Sequence, residues 1–212
     1  MSADLEVRPP QQERSQAAWD RVLDAGVAIL EETGYAGFTI AAVCERADVT
    51  PPAIYARVRT KKALYLAVFE HGFGPIRAAQ VEALDPARWA DAAPDEAVRG
   101  AIDALVRSSL AHEAFFREIA HRAEVDAEVA QRTHAARAWT ADLFRDVALR
   151  HPSSLRDPTH ERVDACFRIV FAALMARIAV TQALDIGAAR SDDAFIADLQ
   201  EIAVRYLFPD PS

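Results

Sequence analysis

The sequence predicts an all-α protein, and three observations carry that prediction. Apolar residues recur at three- and four-residue spacing along nearly the whole chain, with no stretch showing the period-two alternation of strands. Glycine is scarce, at 7 residues in 212, which argues against the many tight turns of an all-β fold. The remaining composition, 51% hydrophobic, 26% charged and 8% aromatic, is that of a soluble globular chain long enough to bury a real core in one large or two small domains.

Residues 1–13 lack periodicity and read as a disordered arm; Asp4, Glu6 and Arg8 leave no room there for a secretory apolar core. From Trp19 the positions Val22, Leu23, Gly26, Val27, Ile29 and Leu30 trace one helical face, and Gly34 supplies the left-handed stop. Thr39 is the N-cap of a second, two-turn helix with Ile40, Val43, Cys44 and Ala47 inward. After a turn at Asp48, Thr50 caps a third helix whose first turn accepts Pro51 and Pro52, because the N–H groups they lack have no intrahelical partner there. Val49 and Ile54 form a hydrophobic staple across that cap. Thr60 caps a fourth helix through Leu64, Val68 and Phe69, which the cluster Gly72, Gly74 and Pro75 is expected to interrupt. The domain boundary is placed at that interruption, giving units 14–72 and 73–212.

The larger unit continues with a helix opened by Pro94, Asp95 and Glu96, whose inward positions are Val98, Ile102, Leu105, Val106 and Leu110. A short segment carries Phe115, Phe116 and Ile119. A long helix follows with Val129, Ala136, Trp139, Leu143 and Val147, ending before the loop that Pro152 and Pro158 enclose. Residues 161–186 form a helix apolar on most of its circumference, and 192–207 a last one with Phe195, Leu199, Ile202 and Tyr206 on one side.

Net charge is −8, yet five of the bases (Arg46, Arg57, Arg59, Lys61 and Lys62) fall between residues 46 and 62 against the single acid Asp48. Such a cluster is either a solvated face or a footprint for an anion. Three short helices with a brief turn between the second and third fit a helix-turn-helix, whose third helix enters the DNA major groove. Ile54 and Val58 turn that helix toward the core, leaving Pro52, Ala53, Ala56 and Arg57 outward with mostly small side chains, where a merely solvated helix favours Glu and Lys. Lys61 and Lys62 occupy the first turn of the fourth helix, where the helix dipole opposes positive charge. A phosphate docked there reverses the sign, because free N–H groups and lysines then act on one anion.

The run from Val22 to Phe69 resembles the N-terminal domain of the tetracycline-repressor (TetR) family of bacterial transcription factors, through Leu23-Asp24-Ala25, Gly34-Tyr35, Phe38-Thr39, Ala47-Asp48-Val49, Ile54-Tyr55, and Lys61 followed by Ala63-Leu64. Three positions depart from the pattern: Asp48 replaces the usual turn glycine, Pro52 stands where glycine is common, and Arg57-Val58 stand where His-Phe is typical. The resemblance implies phosphate contacts from Thr39, Thr50, Tyr55 and Lys61, and base-edge readout from Pro51, Pro52, Ala53 and Arg57. For Tyr55 the competing reading is an aromatic packed between helices, and Arg57 suits either guanine O6 and N7 or a phosphate. It further implies a cytoplasmic homodimer that binds double-stranded operator DNA and is released from it by a small, mostly apolar effector. The alternative is an interaction or ligand-binding protein of the same fold that no longer binds an operator.

Alanines 172, 176, 179 and 183, spaced four, three and four, form a stripe of small side chains. The stripe suits a two-fold four-helix interface made by the helices near 161–186 and 192–207, or the close packing of an ordinary central helix. Candidate walls of an effector pocket are Trp89, Phe115, Phe116, Trp139, Phe144, Phe167, Phe171 and Met175, although an aromatic at helical spacing is more often plain core. His112, His121 and His134 are too widely spaced for a metal site, and no cofactor is expected. Cys44 and Cys166 match no metal spacing and read as small core residues in a reducing compartment. The longest purely apolar run, 169–176, lies between Arg168 and Arg177 and falls well short of the ~20 residues of a membrane span. No phosphate-binding glycine loop or nucleophile elbow is present, so the sequence points away from an enzyme.

Overall fold

The structure, a computed structural model, describes residues 11–180 and 190–209. Among those residues it contains nine α-helices, two short 3-10 turns and no strand. The chain divides into two compact units, Met1–Gly74 and Pro75–Ser212.

The smaller unit is built from α1 (Gln11–Gly37), α2 (Ile40–Ala47), α3 (Pro51–Tyr55) and the first half of α4 (Lys61–Ala83). Helix α1 begins at Gln11, inside the stretch read as an arm; residues 1–10 of that arm lie outside the described residues. It is broken near its end at Gly34, whose φ of 65° and ψ of −171° suit a residue without a Cβ. Thr39 caps α2 by accepting from Ala42 N–H at 3.1 Å. Asp48 closes α2 in the left-handed conformation (φ 52°, ψ 56°), so aspartate serves where glycine is usual, and Val49 N–H reaches back to the Cys44 carbonyl at 3.1 Å. The core beneath is Val22, Leu30, Phe38, Val43, Ile54, Leu64, Val68 and Phe69, all buried.

The expected interruption of the fourth helix is corrected: α4 is continuous from Lys61 to Ala83 with Pro75 inside it. Proline deletes one helical donor and crowds the preceding turn, a cost of about 3 kcal/mol. Burial of Phe69 and Phe73 before it, and of Ile76, Gln80 and Leu84 after it, holds the helical path through that point. The unit boundary nevertheless falls at Gly74 and Pro75.

In the larger unit, α5 (Pro94–Leu110) packs against α7 (Ala127–Ala148) and α9 (Asp192–Leu207), while α6 (Glu113–Val125) packs against α7 and α8 (His160–Val180). The inward face of α5 is as expected except that Leu110 is only half-buried. Two faces are turned by one position. Helix α7 buries Thr140 and Phe144 rather than Trp139 and Leu143, and α9 buries Ile196, Leu199, Ala203 and Leu207, leaving Ile202 at the surface. Both helices are apolar over a wide arc, so spacing alone admits either rotation. Helix α8 buries Val163, Cys166, Phe167, Val170, Leu174 and Ile178. Its opposite side leaves Ala172 and Ala179 exposed and Ala176 half-buried, so this part of the stripe does not face the protomer's own core; Ala183 and the rest of 181–186 lie outside the described residues.

Candidate nucleic-acid interface and ligand groove

Local chain chemistry sets the α2–α3 segment. Thr50 stands at the N-cap of α3 but makes no side-chain cap bond, unlike Thr39. Pro51 and Pro52 have no N–H to offer it, and the first available donor, Ala53 N–H, binds the Thr50 carbonyl at 2.9 Å. The Thr50 hydroxyl is therefore not consumed by the helix it precedes. Ile54 is the one buried residue of α3, while Pro51, Pro52, Ala53 and Tyr55 are exposed, as are Ala56 and Arg57 after it. Tyr55 is 53% exposed, which sets aside the reading of an aromatic packed between helices.

Arg46, Arg57 and Lys61 are each engaged within the protein. Arg46 forms a bidentate pair with Glu32 at 2.5 and 2.6 Å, and its hydrogen bond holds the Glu32 carboxyl below the usual carboxylate range. Arg57 donates to Ser15 Oγ at 3.1 Å and lies 5.7 Å from the centroid of the Trp19 ring, a partnership with α1 that sequence spacing did not reveal. Lys61 donates to the Tyr35 carbonyl at 3.2 Å with Nζ 4.0 Å from that ring's centre. Tyr35 in turn meets Tyr65 edge-on at 5.1 Å, so Lys61 is seated on an aromatic cluster at the start of α4. Thr60 caps α4 through Ala63 N–H at 3.0 Å. Thr39, Thr50, Pro51, Pro52, Ala53, Tyr55 and Arg57 are thus all at the surface, and Lys61 is half-buried.

The aromatic residues of the larger unit separate into two groups. Phe115 and Phe116 are buried on α6, Phe144 is buried behind Phe167 at 5.8 Å, and Trp139 is half-buried on α7. Trp89 donates its ring N–H to the Ala83 carbonyl at 3.0 Å. Phe167, Phe171 and Met175, by contrast, come together in an open groove of about 660 Å³ between α7 and α8. The groove also receives His134, Arg137, Asp142, Arg145, Asp164 and Arg168, none of which sequence reasoning had assigned to a site. Arg145 is held by Asp164 at 2.8 Å and Asp142 at 2.6 Å, and these hydrogen bonds, Asp164 first, raise its pKa further.

Both cysteines are buried and free, and burial pushes the Cys166 thiol up to about 12. Among the described residues no cluster of His, Cys, Asp or Glu suits a metal ion, and no helix is long and apolar enough to cross a membrane.

Residues 22–68 match the family model of the bacterial regulatory proteins of the tetR family. A comparison with curated protein sequences finds no match. Among solved structures, a TetR-like transcriptional regulator from Rhodococcus sp. RHA1 is 21% identical, with 93% of this chain and 97% of that one aligned at a TM-score of 0.63. A TetR-family regulator, PfmR from Thermus thermophilus, is 18% identical over 87% of this chain and 97% of its own, at 0.64. A putative transcriptional regulator from Saccharomonospora viridis, solved in complex with choline, is 13% identical over 94% and 100%, at 0.68. The chain therefore has the fold of the tetR-family transcriptional regulators.

Proposed function

With residues 22–68 matching the tetR family and the whole fold shared with its regulators, we propose that this protein is a dimeric, ligand-responsive repressor that binds operator DNA. The observation that carries the reading is the surface of residues 50–57. One side chain, Ile54, anchors the short helix, and everything outward is small or has a side chain suited to DNA. Pro51, Pro52 and Ala53 allow close approach to base edges, with Thr50, Thr39 and Tyr55 placed for phosphates and Arg57 for a guanine or a phosphate. Lys61 contributes charge next to a phosphate, its Nζ held 4.0 Å from the centre of the Tyr35 ring.

Dimerisation through α8 and α9 is supported by what those helices leave outside: Ala172 and Ala179, with Ile169 and Ile202 at 48% and 50% exposure. The choline complex of the Saccharomonospora fold neighbour supports a small-molecule role for the larger unit. Effector binding there favours the arrangement of subunits in which two recognition helices no longer match successive major grooves, about 34–36 Å apart. Typical coupling is about 1–3 kcal/mol, and linkage requires DNA to weaken effector binding by the same factor.

One observation favours a second reading, a protein of this fold that no longer binds an operator: Arg46, Arg57 and Lys61 are all engaged internally in a chain of net charge −8. A mobility-shift assay with the DNA upstream of the protein's own gene separates the two. A discrete complex that survives excess random-sequence competitor supports the repressor, and its absence supports the second reading.

A further inference from the structure

The α7–α8 groove contains more guanidinium than its own carboxylates neutralise. Three arginines, Arg137, Arg145 and Arg168, face it with two aspartates, Asp142 and Asp164. Both aspartates are committed to Arg145, which takes Asp164 through two nitrogens at 2.8 and 2.9 Å and Asp142 through a third at 2.6 Å. Among the described residues no carboxylate of the groove is left for the other two. Arg137 Nη2 lies instead 3.0 Å from His134 Nδ1, and Arg168 stands exposed on α8. Beneath them the floor is apolar: Phe167 and Phe171 stack at 5.6 Å with an interplanar angle of 23°, and Met175 continues the surface one turn on. The Arg137 guanidinium itself lies 5.9 Å from the centre of the Phe171 ring.

From this arrangement we infer that the groove takes a small carboxylic acid with an apolar body, its carboxylate between Arg137 and Arg168 and its body along Phe171 and Met175. An excess positive charge beside an apolar floor selects an anion with a hydrophobic tail over a neutral molecule of the same shape, and a guanidinium matches a carboxylate edge-on through two parallel hydrogen bonds. The groove volume of about 660 Å³ falls within the range of small-molecule sites. The same excess charge opposes a quaternary ammonium ion. This inference deepens the proposed effector role and rests on it for its regulatory meaning, but the binding itself is independent of DNA.

The test is calorimetric titration of the full chain, without DNA, with decanoate and phenylacetate below any micellar concentration, and with decanol, 2-phenylethanol and choline as comparators. The expected result is that at least one acid binds about 10- to 100-fold more tightly than its alcohol, the range a charge-assisted contact supplies, and that choline does not compete. Arg137→Gln and Arg168→Gln, both at exposed positions, should each remove most of that preference while melting at the wild-type temperature, with Arg168→Lys recovering part of it. Equal affinity for acid and alcohol, no binding of either acid up to millimolar concentration, or an acid preference untouched by both glutamine variants overturns the inference. So does a change in monomer–dimer equilibrium in Arg168→Gln with unchanged acid affinity, which assigns the arginines to a second copy of the chain. Acid binding without any operator complex in the mobility-shift assay removes the repressor reading and leaves this site standing, and the reverse result does the opposite.

Discussion

Gly26→Ala should destabilise the smaller unit even though alanine is the better helix former. A Cβ built at Gly26 lies 2.4 Å from Val68 Cγ2, 3.1 Å from Val68 Cγ1 and 3.3 Å from Phe38 Cε2. Val68 and Phe38 are both fully buried, so neither can swing into solvent to make room. Helix propensity favours alanine by about 0.8–1.0 kcal/mol, whereas forcing a methyl group into a closed core costs about 1–3 kcal/mol. The net expectation is a loss of about 1 kcal/mol, the difference between those two effects. Val68→Ala alone should cost about 2 kcal/mol or more by leaving a cavity, but it also removes both clashing atoms. The double variant Gly26→Ala/Val68→Ala should then be more stable than the two single losses predict, with a coupling of about 1–2 kcal/mol. Amide hydrogen exchange read on peptides from α1 and α4 isolates this unit from the larger one, which a global denaturation curve does not. If Gly26→Ala is stabilising by the propensity difference, or if the two changes simply add, the close approach of α1 and α4 is wrong.

Four further outcomes are expected. Lys61→Ala should weaken specific and non-specific DNA binding by similar factors and flatten the salt dependence by nearly one unit of slope, measured by anisotropy across a salt series; loss of preference at one base pair instead would reassign Lys61. Arg57→Ala should relax preference at one position in each half-site at a cost of about 1–3 kcal/mol if it reads a guanine, and a uniform loss over operator variants makes it a phosphate contact. Ala176→Glu should yield monomers in sedimentation and much weaker DNA binding, because it places a charge on the surface proposed to be buried between subunits; an intact dimer removes α8 from the interface. The Cys166 thiol, raised from 9.0 to about 12, stays protonated in the fold while the unfolded chain ionises, so its contribution to stability is full below pH 9 and lost as pH rises toward 12. Within that window stability should fall by about 1.4 kcal/mol per pH unit from this group. Urea titrations at pH 8 and 10 should show a steeper decline in wild type than in Cys166→Ala, and parallel declines would contradict the burial.

The helix-turn-helix was legible because its signals are local. Thr39, Asp48, Thr60 and the proline pair each act within three or four residues, and the structure confirms their positions, although Thr50 caps without its side chain. What sequence spacing did not reveal is non-local. Glu32 and Arg46 lie on different helices, while Arg57 follows α3 and meets Trp19 on α1, so no periodicity links either pair. The one-position turns of α7 and α9 were hidden because Trp139 beside Thr140, or Phe195 beside Ile196, allows two faces of similar hydrophobicity. The cluster at Gly72, Gly74 and Pro75 failed as a helix-break signal for a related reason: the breaker is visible in the sequence, but the burial on both sides that outweighs it is set by tertiary packing. The groove arginines 137, 145 and 168 looked like ordinary surface charge because the carboxylates that satisfy only Arg145 come from two helices.

The most direct test of the central claim is a hydroxyl-radical footprint of the protein on the DNA upstream of its own gene, with Arg57→Ala in parallel. An operator-binding dimer protects two segments related by a two-fold axis, their centres one helical turn or a multiple of it apart, each requiring the surface formed by residues 50–61. Protection that is absent, uniform along the duplex, or confined to a single unpaired segment would contradict it.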